Sequence, residues 1–352
     1  MTHESIILET ALDVLKKKEN SNPRYILCRP QGGLNDMLGE IEKCCQYGKK
    51  FNRIVIVDTN YLGSNSFHDD LSKYFVSIQE NLILSLDKFK EVISRLDVYP
   101  KFLDGKVNSY SIIYKEGTEF PIDDVAGKYI SFDFNKDYSE KLLVHHASGG
   151  ATNSHLLFRR LKLREELISE LQNRLTDIGG SYLGLHIRNT DYFSDYLSVV
   201  PRIEKQNYQK IFISTDNQAT LDLLKEKLKK DCYSFASVLS NNNEPIHLQK
   251  NLNRQDIYRR NVDSILDLIM LALAKKLICL PISGRRGNDK SPIFSGYSIL
   301  SMNLRTSRDS LSLFLSNTSI QFRSRKFRHI ERFLFMMRKY YLMTYRQLIQ
   351  TL

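Results

Sequence analysis

Short runs of β-branched and other apolar residues recur along the chain, and helical patterns separate them. The runs predict strands at Tyr25–Cys28, Ile54–Val57, Leu183–Ile187, Ile211–Ile213 and Leu277–Ile282. Apolar residues return at helical spacing in stripes made of Met37, Leu38, Ile41, Cys44 and Cys45; of Leu167, Ile168, Leu171 and Leu175; and of Leu221, Leu224 and Leu228. Strand followed by helix, repeated, predicts an α/β architecture with parallel sheets.

The length of 352 residues predicts two domains, each with its own core. Residues 97–152 show no regular pattern, and they end in the turn-forming run Ser148–Asn153. We therefore place an N-terminal domain at residues 1–150 and a C-terminal domain at residues 151–320. The remaining residues, 321–352, predict a basic amphipathic C-terminal helix.

Composition narrows the class of protein. The hydrophobic fraction is 42%, and no stretch reaches the roughly 20 apolar residues of a membrane-spanning helix. The start of the chain, Met1–Asn20, lacks the order of a secretory signal, so we expect a cytoplasmic protein. The cysteines show no metal-ligand spacing and are expected to be reduced and mostly buried: Cys28, Cys44, Cys45, Cys232 and Cys279. A net charge of +11 favours anionic partners.

The strongest local signal is the segment Gly184–Asp191. Strand alternation puts the apolar residues Leu183, Leu185 and Ile187 on one face, and His186 and Arg188 on the other. The polar pair lies at the carboxyl end of the strand, where open α/β sheets bind ligands. Arg188 offers a planar fork for a diphosphate, and His186 can donate to a phosphate or base oxygen. The alternative is a buried structural pair of Arg188 with Asp191 and a satisfied histidine.

Two carboxylates of the same half are further candidates. Asp216 and Asn217 directly precede a predicted helix, so either one is a natural N-cap, while Asp216 is also placed to meet a ribose or a guanine edge. Asp263 and Asp267 lie four residues apart on an apolar helix. Asp263 is expected only to favour the helix dipole, whereas Asp267 needs a ligand or a fixed donor.

Glycines mark two loops. Ser283 and Gly284 follow a predicted strand, precede two arginines, and form either a phosphate cradle or an ordinary polar turn. Gly32 and Gly33 follow the first predicted strand and let the backbone approach a ligand closely. A plain turn capped by Asn35 is the alternative there, and the Gly-Lys-Ser/Thr ending of a Walker loop is missing.

Taken together and in order, these segments resemble the fucosyltransferase superfamily that shares a His-x-Arg-x-x-Asp motif, with its α1,2-, α1,6- and protein O-fucosyltransferases. His186–Asp191 matches that motif, and Ile213–Asp216 is similar to the strand and Asp that follow it. Leu266–Gly284 is similar to the last donor-binding block, and Gly32–Met37 to the glycine-rich loop, here one residue shorter. Asn189 stands where α1,6 members carry a second Arg, which argues against that linkage.

The resemblance implies a GT-B fold, with two facing Rossmann-like domains and the donor mostly on the C-terminal one. It implies an inverting, metal-independent glycosyltransferase that needs no cofactor and transfers L-fucose from GDP-fucose to a glycan hydroxyl, as in bacterial surface polysaccharide synthesis. The residues expected to bind the donor are His186, Arg188, Asp216, Asp267, Ser283, Gly284, Gly32 and Gly33.

Three residues are expected to act in catalysis: Arg188, Asn35 and Asp36. Arg188 would stabilise the leaving diphosphate, on which charge builds as the sugar–oxygen bond breaks. Asp36 is our choice of base for the acceptor hydroxyl because it adjoins the glycine loop. The other candidate bases are His68, Asp69 and Asp70.

The predicted C-terminal helix and the net charge leave alternatives open. The helix is a candidate to contact the anionic inner face of the membrane and so present the enzyme to a lipid-linked oligosaccharide. Packing of the helix on its own domain is the alternative. Two other functions compete: a GT-B transferase with a different nucleotide sugar, and a non-enzymatic basic nucleic-acid-binding protein. The nucleic-acid reading leaves Asp267 and the ordered motifs unexplained, so we expect no nucleic-acid partner.

Overall fold

The computed structural model describes residues 23–61, 67–114, 121–149, 153–237, 239–240, 252–283 and 293–315. The predictions for Met1–Asn20, for Gly284 and for the C-terminal helix at residues 321–352 lie outside these ranges. No helix within them is long and apolar enough to span a bilayer.

The first half of the chain builds a parallel sheet. Its strands and helices are β1 (Arg24–Pro30), α1 (Leu34–Phe51), β2 (Arg53–Val57), β3 (Phe75–Ser77), β4 (Leu82–Ile83), α2 (Lys90–Ser94), β5 (Val98–Tyr99), β6 (Ile112–Tyr114), β7 (Pro121–Asp123) and β8 (Leu142–Ala147), with short 3₁₀ helices at Leu71–Lys73, Asp87–Phe89 and Lys101–Leu103. Five strands pair in parallel in the order β4-β2-β1-β8-β5. The predicted apolar stripe of α1 is buried in the core, so that prediction is confirmed.

Strand β8 corrects the prediction that residues 97–152 are irregular. It lies inside the sheet, between β1 and β5, and all of its residues are buried. Two histidines interrupt its apolar pattern, and each has a buried partner. His145 Nε2 lies 2.5 Å from Glu40 Oε2, and His146 Nδ1 lies 2.8 Å from the Tyr110 hydroxyl. Hydrogen bonds of this kind let polar side chains occupy a buried strand, which a hydrophobicity pattern does not reveal.

The second half builds another parallel sheet. After a 3₁₀ helix at Ser154–Arg159, its elements are β9 (Leu161–Leu163), α3 (Glu165–Ile178), β10 (Leu183–Ile187), α4 (Val200–Glu204), β11 (Lys210–Thr215), α5 (Gln218–Lys227), β12 (Asp231–Tyr233), α6 (Arg254–Leu273), β13 (Lys276–Cys279), α7 (Gly296–Thr306) and α8 (Arg308–Phe314). The sheet order is β12-β11-β10-β13, with every pairing parallel. The apolar face predicted for β10 packs into one core cluster with β11 and α5, which confirms the alternation.

The end of the described chain returns to the first half. Strand β9 pairs antiparallel with β3, α7 packs against α1 and the Ser154–Arg159 helix, and α8 packs against the Ser154–Arg159 helix and β9. The Phe314 ring at the end of α8 lies 4.7 Å from that of Phe158 and 5.8 Å from that of Phe75. This crossing fixes α7 between the two halves. The domain boundary near residue 150 stays a prediction.

Candidate functional site

His186 is held near the carboxyl end of β10 and is only 7% exposed. Its Nδ1 lies 2.7 Å from the Oγ of Ser298 on α7. Its ring lies 4.9 Å from the ring of Tyr297, at an angle of 34°. Burial, together with a smaller effect of the nearby Arg188 charge, lowers the pKa of His186 to about 3. The imidazole is therefore neutral near pH 7 and carries one N–H.

Arg188 follows β10 directly and is oriented by a carboxylate. Its Nε and Nη2 lie 2.9 and 2.8 Å from Asp191 Oδ1, and its guanidinium lies 5.4 Å from the centre of the Tyr192 ring. The predicted Arg–Asp pair thus exists, but it is not sealed, because 27% of the Arg188 side chain is exposed. No residue in the described part of the chain bonds its Nη1. The pair orients the guanidinium and leaves one nitrogen for an anion.

Asp216 fixes the loop that carries Arg188. Its Oδ1 accepts the backbone N–H of Asn189 at 2.7 Å, and its Oδ2 accepts the Thr190 hydroxyl at 2.7 Å. The N-cap of α5 is Asn217, whose side chain accepts the N–H of Thr220. Of the two capping candidates, the structure therefore uses Asn217, and Asp216 connects the ends of β10 and β11. Burial raises the pKa of Asp216, against these hydrogen bonds.

Ser283 joins the loop after β13 to the loop after β10. Its N–H donates to the Phe193 carbonyl oxygen at 2.7 Å, and the Phe193 N–H donates back to Ser283 at 3.0 Å. The strand itself ends at Cys279 and not at Ile282 as predicted, and Pro281, which has no N–H, follows. Ser283 is exposed at this edge, and its role as a phosphate ligand stays a prediction.

Asp267 on α6 was expected to need either a ligand or a fixed donor, and the structure gives it a fixed donor. Its Oδ1 lies 3.2 Å from Nη1 of the buried Arg174, and burial raises its pKa to about 7. Asp263 also pairs with Arg174 and accepts both the N–H and the hydroxyl of Ser237 at 2.9 Å. The expectation that Asp263 only favours the helix dipole is wrong, because α6 begins well before it, at Arg254. Contact of Asp267 with a nucleoside stays a prediction.

The glycine loop of the first half ends at the N-terminus of α1. Gly32 has a φ of +88°, and a Cβ there would lie 3.1 Å from Ser148 Oγ. Gly33 is the N-cap, so the predicted alternative of a cap by Asn35 is wrong. In the described part of the chain, a Cβ on the exposed Gly33 would meet nothing closer than Asp36 Oδ2, at 4.0 Å. The start of α1 is therefore open to a ligand.

Asn35 is the point at which the two halves meet. Its Oδ1 accepts the Ser154 hydroxyl at 2.6 Å. On its other side lies Gly296, the first residue of α7, where an added Cβ would come within 3.3 Å of Asn35 Cβ. Two residues further along α7, Ser298 bonds His186. The N-terminus of α7 thus brings the glycine loop next to the His-x-Arg strand.

The sequence reasoning missed the N-terminus of α7 and the role of Arg174. Ser295 caps α7 by accepting the N–H of Ser298 at 3.1 Å. A serine placed before an apolar helical pattern is a usable N-cap signal. Nothing local in the sequence shows that α7 then reaches across to α1.

The other candidate bases either make structural contacts or are exposed. Asp69 accepts bonds from Tyr74 and Lys73, and Asp70 caps the Leu71–Lys73 helix. His68 is exposed.

The cysteines are free, as predicted, with Cys28, Cys44 and Cys45 buried. Within the described ranges, no three His, Cys, Asp or Glu side chains are grouped as metal ligands.

The fold was compared with solved structures. It is similar to the fucosyltransferase NodZ from Bradyrhizobium, with a TM-score of 0.52, 15% identity, and coverage of 80% of this chain and 93% of that one. NodZ α-1,6-fucosyltransferase soaked with GDP-fucose gives a TM-score of 0.53, 15% identity, and coverage of 80% and 92%. POFUT1 in complex with GDP gives a TM-score of 0.49, 10% identity, and coverage of 81% of this chain and 96% of that one. The likeness to NodZ establishes the fold and confirms the predicted α/β GT-B architecture.

At the level of sequence, no protein-family model and no curated protein matches this chain.

Proposed function

We propose that this chain is an inverting glycosyltransferase that moves L-fucose from GDP-fucose to a glycan hydroxyl. The observation that carries the proposal is the meeting of Asn35, the N-terminus of α7, and His186 beside Arg188, at the carboxyl edges of two parallel sheets. The fold supports it, since NodZ, which shares this fold, was crystallised with GDP and soaked with GDP-fucose. A donor bound at this junction would contact both halves.

The donor diphosphate belongs beside His186 and Arg188. As the bond between the sugar and the diphosphate breaks, negative charge builds on the leaving oxygen, and a fixed cation lowers the barrier. Arg188 supplies that charge, so no divalent metal is required. The open N-terminus of α1 and the capped N-terminus of α7 add the positive ends of two helix dipoles. Asp216, Asp267, Ser283 and the Gly284 loop would hold the nucleoside and the phosphates.

Inversion requires the acceptor hydroxyl to attack the sugar from the face opposite the diphosphate. We assign the carboxylate of Asp36 as the base that takes the proton of the acceptor hydroxyl. Asp36 lies in the first turn of α1 beside Gly32. Asn35 would orient the reacting groups. The acceptor would be a polysaccharide or lipid-linked oligosaccharide of a bacterial surface, bound mostly by residues 1–150, with the donor on residues 151–320. The segment 321–352 is proposed to contact an anionic membrane surface.

Turnover of GDP-fucose tests the proposal. The protein is incubated with GDP-fucose in EDTA, and free GDP and fucose-containing products are measured by mass spectrometry. Since no acceptor is added, water takes the fucosyl group, and release of GDP and free fucose without added metal is the expected result. UDP-glucose and GDP-mannose are run in parallel as competing donors. Release of UDP from UDP-glucose alone, or of GDP from GDP-mannose alone, contradicts the assignment of the sugar. Activity only after metal is restored contradicts the role given to Arg188.

A further inference from the structure

Two buried hydroxyl groups form a hydrogen-bonded chain that ends on His186. Ser295 is 5% exposed and Ser298 is 1% exposed. The two hydroxyl oxygens lie 3.1 Å apart, and Ser298 Oγ lies 2.7 Å from Nδ1 of His186. No role described so far for the donor site requires either serine side chain. Because both serines are buried beside a proposed ligand-binding histidine, the positions of their hydrogens affect which nitrogen of that histidine is protonated.

The N-cap of α7 is the first part of this chain. Ser295 Oγ accepts the backbone N–H of Ser298 at 3.1 Å, and its own O–H donates to Ser298 Oγ. Ser298 Oγ, having accepted that bond, keeps a proton to donate. Nδ1 of His186 and the neighbouring Cys279 thiol lie within reach of that proton. Sulfur is the weaker acceptor, so Nδ1 is the better partner for it.

We propose that Ser298 is a positioning residue that fixes His186 in the tautomer with its proton on Nε2. A neutral imidazole has one N–H and one acceptor nitrogen, and here Nδ1 is the acceptor. Burial disfavours the doubly protonated ring and lowers its pKa to about 3. The ring therefore has a single proton near pH 7, and Ser298 decides which nitrogen holds it.

The proton on Nε2 is available to a ligand. No residue among those described bonds Nε2. Among the described residues, the buried side-chain atoms without a hydrogen-bond partner belong to Arg53, His155, Ser234 and Ser240, and not to His186. If the proposed function holds, the ligand is an oxygen of the GDP moiety, and His186 offers it a neutral, directed donor beside the charged Arg188. The opposite tautomer would turn a lone pair toward that oxygen and repel it.

Nitrogen NMR measures the tautomer directly. In long-range ¹H–¹⁵N spectra of histidine-labelled protein, protonated and unprotonated ring nitrogens resonate far apart. The His186 signals are identified by their loss in His186→Gln. The expected wild-type spectrum shows an unprotonated Nδ1 and a protonated Nε2. The same pattern is expected in Ser298→Thr, which keeps the hydroxyl. A wild-type protein with the proton on Nδ1 overturns the proposal without reference to any variant.

Ser301→Ala is the matched control for Ser298→Ala. Ser301 is buried one turn later on α7, and its hydroxyl donates to the Tyr297 carbonyl oxygen at 2.8 Å. Ser298→Ala should give mixed tautomers, while Ser301→Ala keeps the wild-type spectrum. A wild-type tautomer in folded Ser298→Ala overturns the role of Ser298.

GDP binding by the same variants separates this proposal from the proposed function. Loss of a directed donor should weaken GDP binding by about 3- to 10-fold in Ser298→Ala. Ser298→Thr and Ser301→Ala should bind GDP as the wild type does. If the wild type does not bind GDP, the proposed function fails, and the NMR spectra still decide the tautomer.

Discussion

At the scale of single residues, the surroundings of a side chain decide what it can do. Arg188 and Arg174 both pair with aspartates, but Arg174 is buried between Asp263 and Asp267. Arg188 is partly exposed and has one nitrogen that no described residue bonds. The first arrangement joins two helices, and the second is suited to an anion. The sequence identified Arg188 from strand alternation. It did not identify Arg174, which lies on the buried face of α3, seven residues after Leu167, because nothing local shows the aspartates of α6 that pair with it.

Replacing Arg188 should remove catalysis and spare the fold. Arg188→Ala is expected to lower GDP-fucose turnover by about 10²- to 10³-fold, the cost of losing a donor that acts in the transition state. Stability should change by only about 0–1 kcal/mol, because the pair with Asp191 is partly exposed. Turnover and thermal unfolding are measured side by side. The exposed Arg202→Ala is the control, and equal turnover in both variants would refute the role of Arg188.

Burial of neutral His186 should make stability depend on pH. The pKa is lowered to about 3 on folding, so the unfolded chain takes up a proton below about pH 6.5 that the folded chain refuses. The contribution of His186 to the free energy of unfolding is therefore complete above that pH and is lost as the pH falls. From pH 7 to pH 5, His186 should cost on the order of 2 kcal/mol of unfolding free energy.

Urea unfolding at both pH values, in wild type and His186→Gln, measures this contribution. The variant should lose less stability on acidification, by that same amount. His68→Asn, at an exposed position, should behave as the wild type does. An identical pH dependence in His186→Gln and wild type would show that His186 is not buried in its neutral form.

At the scale of elements, the sequence predicted the strands that follow apolar patterns and missed those that do not. Strand β10 was predicted with its observed bounds, since its alternation is regular. Strand β8 was missed because His145 and His146 depend on partners from other elements, which no local pattern shows. Helix α6 begins at Arg254, in a polar stretch capped by Asn253, whereas the dipole role expected for Asp263 placed that residue near the helix start. Local patterns thus find an element's apolar centre better than its polar ends.

Asp216 should act through the loop after β10 and not through a helix end. Asp216→Ala leaves the Asn189 N–H and the Thr190 hydroxyl without their acceptor, so we expect a loss of about 1–3 kcal/mol and faster hydrogen exchange at the Asn189 amide. Asn217→Ala removes the cap of α5 at a cost of about 1 kcal/mol and should leave that amide protected. Equal exchange at Asn189 in both variants would contradict this assignment.

At the scale of the whole molecule, the site depends on contacts between distant parts of the chain. The sequence predicted the two parallel sheets and the order of the motifs, which sufficed for the fold. The crossing of α7 onto α1, and of α8 onto the Ser154–Arg159 helix, could not be predicted, because it rests on ring packing and on the fit of Gly296 against Asn35. That crossing assembles the candidate site from both halves. A ligand bound there should therefore stabilise the whole fold.

Thermal stabilisation by nucleotides tests the central claim, a GDP-sugar site that needs no metal. Wild type and Arg188→Ala are heated in EDTA with GDP, UDP, ADP, CMP or CDP. Ligand at about 100 times its dissociation constant adds about 2.7 kcal/mol to the free energy of unfolding. GDP alone should raise the melting temperature, and Arg188→Ala should abolish the shift. A shift with another nucleotide, or with none, would contradict this claim.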